Sequence, residues 1–184
     1  VRATTDFIKR RGKPTKLITV GHKGRDLMWR AGYSIIAEFA STPDSPSILD
    51  VTPIARTAVD DFVQGTVDEV YLAYAAFINT LKQKPTIKRL LPIQPSEVES
   101  QAMGEYVAGI AARPPIEYLY EPKPQVILEA ILPRFTELQV YQAVLESLAS
   151  EHSARMISMR NATESAQDLV EDLTLSYNKA RQKA

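Results

Sequence analysis

"VYQAVLESLASEHSARMISMRNATESAQDLVEDLTLSYNKARQ", residues 140–182, decides the architecture of this chain, because it lies in a run, 134–183, without one glycine or proline. Nothing there breaks a helix, and at about 1.5 Å per residue the run predicts a rod of roughly 75 Å. Apolar or small residues recur in steps of three and four at Leu138, Tyr141, Leu145, Leu148, His152, Met156, Met159, Thr163, Ala166, Val170, Leu173, Tyr177 and Ala180. That is the spacing of a coiled-coil seam, and Ala149, Ser153 and Ala162 beside it permit close approach of a second helix. Lys179, Arg181 and Lys183 fall in the last turns, where positive charge suits the helix dipole. Pro133 predicts a bend rather than a break where the rod joins the amphipathic "QVILEAIL". No other segment of the 184 residues is long enough to cover this seam, so its partner is expected outside the sequence, in the same parent chain or in another subunit.

Upstream of the rod, short apolar runs alternate with helical patterns. The opening "VRATTDFIKRRGK" reads as the end of a surface helix closing at Gly12, with nothing before it. "TKLITV" is a buried strand ended by Gly21, and "HKGRDLMWRAG" a helix carrying Leu27, Met28 and Ala31 on one side. "YSIIAEFA" is a second strand. After the turn "STPDSPS", "ILDVTPIARTAVDDFVQG" is a helix with Ile54, Ala58, Val59 and Phe62 on its apolar face. "VDEVYLAYAAFI" hardly alternates and predicts a strand buried on both faces, while the more polar "PTIKRLLPI" predicts a strand nearer an edge.

This order is the signature of crossover units, and it predicts an α/β fold on a mostly parallel sheet with flanking helices. Such a sheet normally opens with a strand, whose absence points to an internal piece of a longer protein. Residues 94–115 read as a long Pro, Ser, Glu and Gln-rich loop, and "IEYLYEP" as a last short strand. The division that follows is a globular part, 1–122, and a long helix, 123–184.

Composition narrows the function classes. Lysine plus arginine balance acidic residues at 22 each, so the basic footprint of a nucleic-acid binder is absent from the chain as a whole. No cysteine means no disulfide, thiolate metal site or cysteine nucleophile, and with only His22 and His152 a histidine metal site would need several carboxylates. The best apolar run, residues 71–78, has strand length, far short of the roughly 20 residues a bilayer demands, and no signal-peptide core is visible.

Three local motifs compete with plainer readings. "GHKGRD" follows a strand and opens a helix, where amides with His22, Lys23 and Arg25 could cradle a phosphate, yet it lacks both the dinucleotide and Walker patterns and reads better as a turn. His152 beside Glu151 suggests acid/base work only weakly, since packed helix histidines are commoner. Asp60 with Asp61, and Glu171 with Asp172, are helix neighbours that point about 100° apart and do not converge.

The stretch quoted first resembles the carboxy-terminal helix of the gamma subunit of F-type ATP synthases, above all in "SLASEHSARM" joined to "NAT" and "LTLSYNKARQ". "KLITVGHKGRD", "DEVYLAYAAFINTLKQKPTIKRLLPI" and "YLYEP" are similar to that family's globular part in the same order, so the likeness covers essentially the whole chain. The family's amino-terminal helix with its first strand, and the segment after "ARQ", are lacking.

The resemblance implies a non-catalytic central-stalk rotor. A Rossmann-like foot would stand with the epsilon subunit on the membrane ring of c subunits, and the long helix would form half of an antiparallel coiled coil inside the hexamer of alpha and beta subunits. It implies a seam of Leu138, Leu145, Leu148, His152, Met156, Met159, Ala166, Val170, Leu173 and Tyr177. It further implies a catch contact with beta at Arg181 and Gln182, a foot surface at Tyr118 and Tyr120 facing epsilon and the ring, and no cofactor, metal or catalytic residue. The place implied is peripheral, on the cytoplasmic face of a bacterial plasma membrane, with an organellar inner membrane as the other option. Without cysteines the thiol-switched regulation of the chloroplast form is not available. Two other classes fit the bare pattern: a doubly wound nucleotide-binding module and a coiled-coil adaptor.

Overall fold

The computed structural model describes residues 1–39, 43, 45–93 and 123–183. Its elements run α1 (Arg2–Arg11), β1 (Lys16–Val20), α2 (His22–Arg30), β2 (Ser34–Phe39), α3 (Ile48–Val63), β3 (Val70–Phe77), β4 (Gln83–Leu91) and α4 (Pro124–Lys183). The residues of "IEYLYEP" and of the long loop before it lie outside the described residues.

Local chemistry sets the helix ends. Gly12 closes α1 in the left-handed conformation, φ 63°, and its N–H returns to Ile8 O at 3.0 Å, a cap that residues with a Cβ adopt at a cost. At the start of α3 the Asp50 carboxylate accepts from both the backbone N–H (2.8 Å) and the hydroxyl (2.9 Å) of Ser47. Those two bonds hold Asp50 below the usual carboxylate range.

The expectation of one mostly parallel sheet needs correction. β1 and β2 do pair in parallel, but β3 pairs with β4 in antiparallel register, so the described strands form two two-stranded sheets. The cause is connection length: only residues 78–82 join β3 to β4, whereas a parallel pairing needs a crossover of roughly a dozen residues or more. Asn79 builds the turn, its side-chain oxygen accepting from the N–H groups of Leu81 and Lys82.

The burial of β3 is a second correction. It is half-buried, with Ala73 and Phe77 exposed, and α1 packs on it at Tyr71. There Phe7 meets the Tyr71 ring edge-on at 4.9 Å, while Arg11 lies over both rings, hydrogen-bonds the Tyr71 hydroxyl and pairs with Glu69 at 3.1 Å.

One core serves both sheets. Val51, Ile54 and Ala55 of α3, Leu90 and Leu91 of β4, and Val140 of α4 form its buried centre. Ile18 of β1, Phe39 of β2 and Leu72 of β3 pack around it. The apolar end of β4, the strand with the more polar sequence, thus carries two side chains of the buried core.

Candidate functional site

α4 is the feature that the rest of the fold positions. It runs 60 residues without interruption, about 90 Å, and Pro133 sits inside it. As expected, the proline does not break the helix.

The lower part of α4 is docked. Thr136, Val140, Ala143 and Ser150 are buried, spaced in steps of four, three and seven that keep them on one side of the helix. The Ser150 hydroxyl donates to Ala75 O at 3.0 Å, and Ala75 N–H donates to Ser147 Oγ at 3.3 Å. Nearer the base, the Tyr141 hydroxyl donates to Pro46 O at 3.1 Å, and Arg56 approaches Glu137 at 3.7 Å. Burial first, and the Glu146 carboxylate second, push the Tyr74 phenol upward where β3 meets this helix.

Above Ser150 the helix stands clear. Residues 151–183 extend about 50 Å further, with nearly every side chain exposed. Leu138, Leu145, His152, Met156, Met159, Ala166, Val170, Leu173 and Tyr177 all lie on the surface, and Leu148 is half-buried. Leu173 is 68% exposed and Tyr177 66%, against 3% for Val140 on the docked side. The bare row begins beside the docked one, on the opposite side of the helix. Leu145 precedes Ser147 by two residues and Leu148 precedes Ser150 by two, which at about 100° per residue is about 200° around the axis. One helix therefore carries two apolar faces, and the described residues cover the docked one and only the lower end of the other, where Tyr141 packs against the core and Leu148 is half-buried. An exposed row of this length is far outside what isolated surface leucines need, and marks an interaction surface.

The other candidates resolve one by one. Arg181 and Gln182 sit exposed in the last turn of α4, with Arg181 and Lys183 as its basic residues. Tyr118 and Tyr120 lie outside the described residues. In "GHKGRD" two of the three basic side chains are already engaged: Arg25 binds both Glu38 oxygens at 2.7 and 2.9 Å and Asp26 at 2.8 Å, and His22 Nδ1 lies 3.2 Å from Glu38. Arg25 is raised by its bonds to Glu38 and then Asp26, and Glu38 is held below its ordinary value chiefly by Arg25. A phosphate there would have to displace carboxylates, so the turn reading stands. Glu151 is bound to Arg155, one turn on, rather than to His152. Among the described residues no cluster of His, Asp and Glu has the makings of a metal site, and no helix is long and apolar enough to cross a membrane.

Sequence reasoning missed the docked face. Its anchors are Thr136, Ala143, Ser147 and Ser150, small or hydroxylated residues that a search for large apolar side chains passes over.

Comparison with known proteins agrees with this geometry. The family model for ATP synthase matches residues 1–184. The ATP synthase gamma chain of Roseiflexus castenholzii is 48% identical over 167 residues, which are 91% of this chain and 53% of that protein. The gamma chain of Dehalococcoides mccartyi strain CBDB1 is 43% identical over 186 residues, covering all of this chain and 60% of that one. The chain thus spans little more than half the length of the curated relatives it matches. Among solved structures, a chain of the Euglena gracilis mitochondrial ATP synthase rotor superposes with TM-score 0.59 at 20% identity, over 99% of this chain and 67% of that one. A chain of the Tetrahymena thermophila mitochondrial central stalk and c-ring gives 0.53 at 23% identity, over 80% and 60%. At those identities the likeness is one of fold.

Proposed function

As this chain belongs to the ATP synthase gamma family, we propose that it is the torque-bearing part of a central-stalk rotor, a non-catalytic subunit of a rotary ATP synthase. The observation that carries the reading is the bare apolar row on α4, which starts opposite the face docked on the globular body. A shaft needs stiffness along its length, firm attachment at its base and a second strand against its free face. The uninterrupted helix, the docked lower turns and the exposed row of Leu145, Met156, Val170, Leu173 and Tyr177 meet those needs in turn. A shaft needs no catalytic side chain.

In this reading residues 1–122 are the foot, Rossmann-like once its remaining strands are in place, and 123–184 the shaft. An antiparallel helix from elsewhere in the parent chain covers the seam from Leu138 to Tyr177. The alpha and beta subunits surround the upper shaft, and epsilon and the c-ring hold the foot, with Tyr118 and Tyr120 on that side. Arg181 and Gln182 form a catch with beta. Arginine suits the task, since its planar fork grips a carboxylate by two bonds and releases it in water. The subunit works at a membrane surface as a peripheral component, on the cytoplasmic face in a bacterium.

Titration calorimetry of the folded chain against the synthase's epsilon subunit tests the proposal. Saturable one-to-one binding is expected, and no binding by a folded sample would contradict the foot assignment.

A further inference from the structure

Resting on that rotor reading, we propose that Ser147 and Ser150 fix the rotational phase of the long helix on the globular body, and so act as positioning residues for torque transfer. Ala75 lies opposite Pro85 in the β3–β4 ladder, at a pair whose N–H and carbonyl groups face away from the partner strand. Both backbone groups of Ala75 turn to α4 instead: its N–H to Ser147 Oγ, 3.3 Å, and its carbonyl to the hydroxyl of Ser150, 3.0 Å. Ser150 is 4% exposed, so its bond is shielded from competing water. A third bond, Tyr141 to Pro46 O, again ends on main chain.

The direction of these bonds matters more than their strength. Packing of Val140 and Ala143 keeps the docked face inward but sets its angle less sharply than a directional bond does. Hydrogen bonds weaken steeply once bent, and main-chain partners cannot swing after a moving helix as a side chain would. The two serines lie about 60° apart around the axis, and each holds the opposite polar group of one residue. Rolling the helix either way breaks one of them. The Arg56 to Glu137 pair, 73% exposed on the arginine side, offers little resistance. Because the bare row starts on the far side of the helix from these serines, fixing the serines fixes where the row points. A twist applied to the shaft then reaches the foot as load on β3 instead of being lost as roll.

The test uses the full-length chain in the assembled synthase, with the hexamer immobilised and a probe on the foot. The Ser147→Ala/Ser150→Ala double variant is expected to widen the angular fluctuation of the foot at each dwell while leaving unloaded ATP hydrolysis unchanged, and Ser147→Thr/Ser150→Thr to restore the narrow distribution. An unchanged width in the alanine variant overturns the inference. Should that variant fail to assemble, amide exchange in the full-length Ser147→Ala chain decides the matter. Ala75 is expected to exchange roughly tenfold faster with the amides of β4 unaltered, and unchanged protection of Ala75 overturns the proposal. A wild-type chain that never rotates in the hexamer defeats the rotor reading alone, since exchange at Ala75 still reports on the contact.

Discussion

Residues 136–150 and 151–183 belong to one helix, with the same backbone and much the same residue types, yet the first stretch is bound into a core and the second stands bare. The lower stretch meets its neighbours through small and hydroxylated residues, Thr136, Ala143, Ser147 and Ser150, around apolar contacts at Val140, Tyr141 and Val144. The upper stretch offers Met156, Met159, Val170, Leu173 and Tyr177 to solvent. Helical continuity therefore says nothing about where a helix is held. What holds it is the face it turns to its neighbours, and here that face changes sides between base and shaft.

Substitutions can break this contrast or sharpen it. The largest effect is expected from Leu173→Asp. Placed under a partner helix, an unpaired charge costs roughly 3–5 kcal/mol, so the yield of assembled complex should collapse. In the present chain Leu173 is exposed, and the same change should shift urea stability by less than about 0.5 kcal/mol. Normal assembly of the variant would remove the seam. Leu90→Ala probes the other side of the contrast: at 2% exposure its side chain fills the shared core, and loss of about 2–5 kcal/mol should show in urea denaturation of the isolated chain. Equal sensitivity at Leu90 and Leu173 in the isolated chain would erase the distinction between base and shaft.

Smaller effects follow at the periphery. Arg181→Ala should leave assembly intact and lower coupled ATP turnover by roughly tenfold, the scale of one charge-assisted hydrogen bond, as measured in reconstituted vesicles. The smallest is acid sensitivity at α2 and β2. Glu38 is held below its ordinary value by Arg25, so its contribution is complete above the ordinary carboxylate pKa and disappears as pH falls through the lower, folded value. Glu38→Gln should therefore lower stability slightly above about pH 4 and flatten the acid limb, so that the two curves converge at low pH.

Much of this was legible in the sequence. Gly12 and Gly32 mark where α1 and α2 stop, the glycine-free and proline-free run predicts the long helix, and three-four spacing draws the row that proves to be exposed. Strand pairing was harder, because an apolar run such as "YLAYAAFI" looks the same in either ladder. The five residues between β3 and β4 already required a hairpin, so that error came from weighing alternation of elements above loop length. The docked face could not be read, since nothing local distinguishes Ser147 and Ser150 from serines on an open surface; their partner is a main-chain residue 72 and 75 positions away. The catch residues came from family likeness, and periodicity alone offers only a basic helix end.

The central claim, that the bare row is the covered seam of a shaft, is most directly tested by thiol labelling, since the chain has no cysteine of its own. Leu173→Cys lies on the row and Leu175→Cys two residues away on the opposite side, and in the present chain both positions are exposed, 68% and 57%. In the full-length parent chain the account predicts that Leu173→Cys becomes far slower to label while Leu175→Cys stays fast; equal rates at the two positions would contradict it.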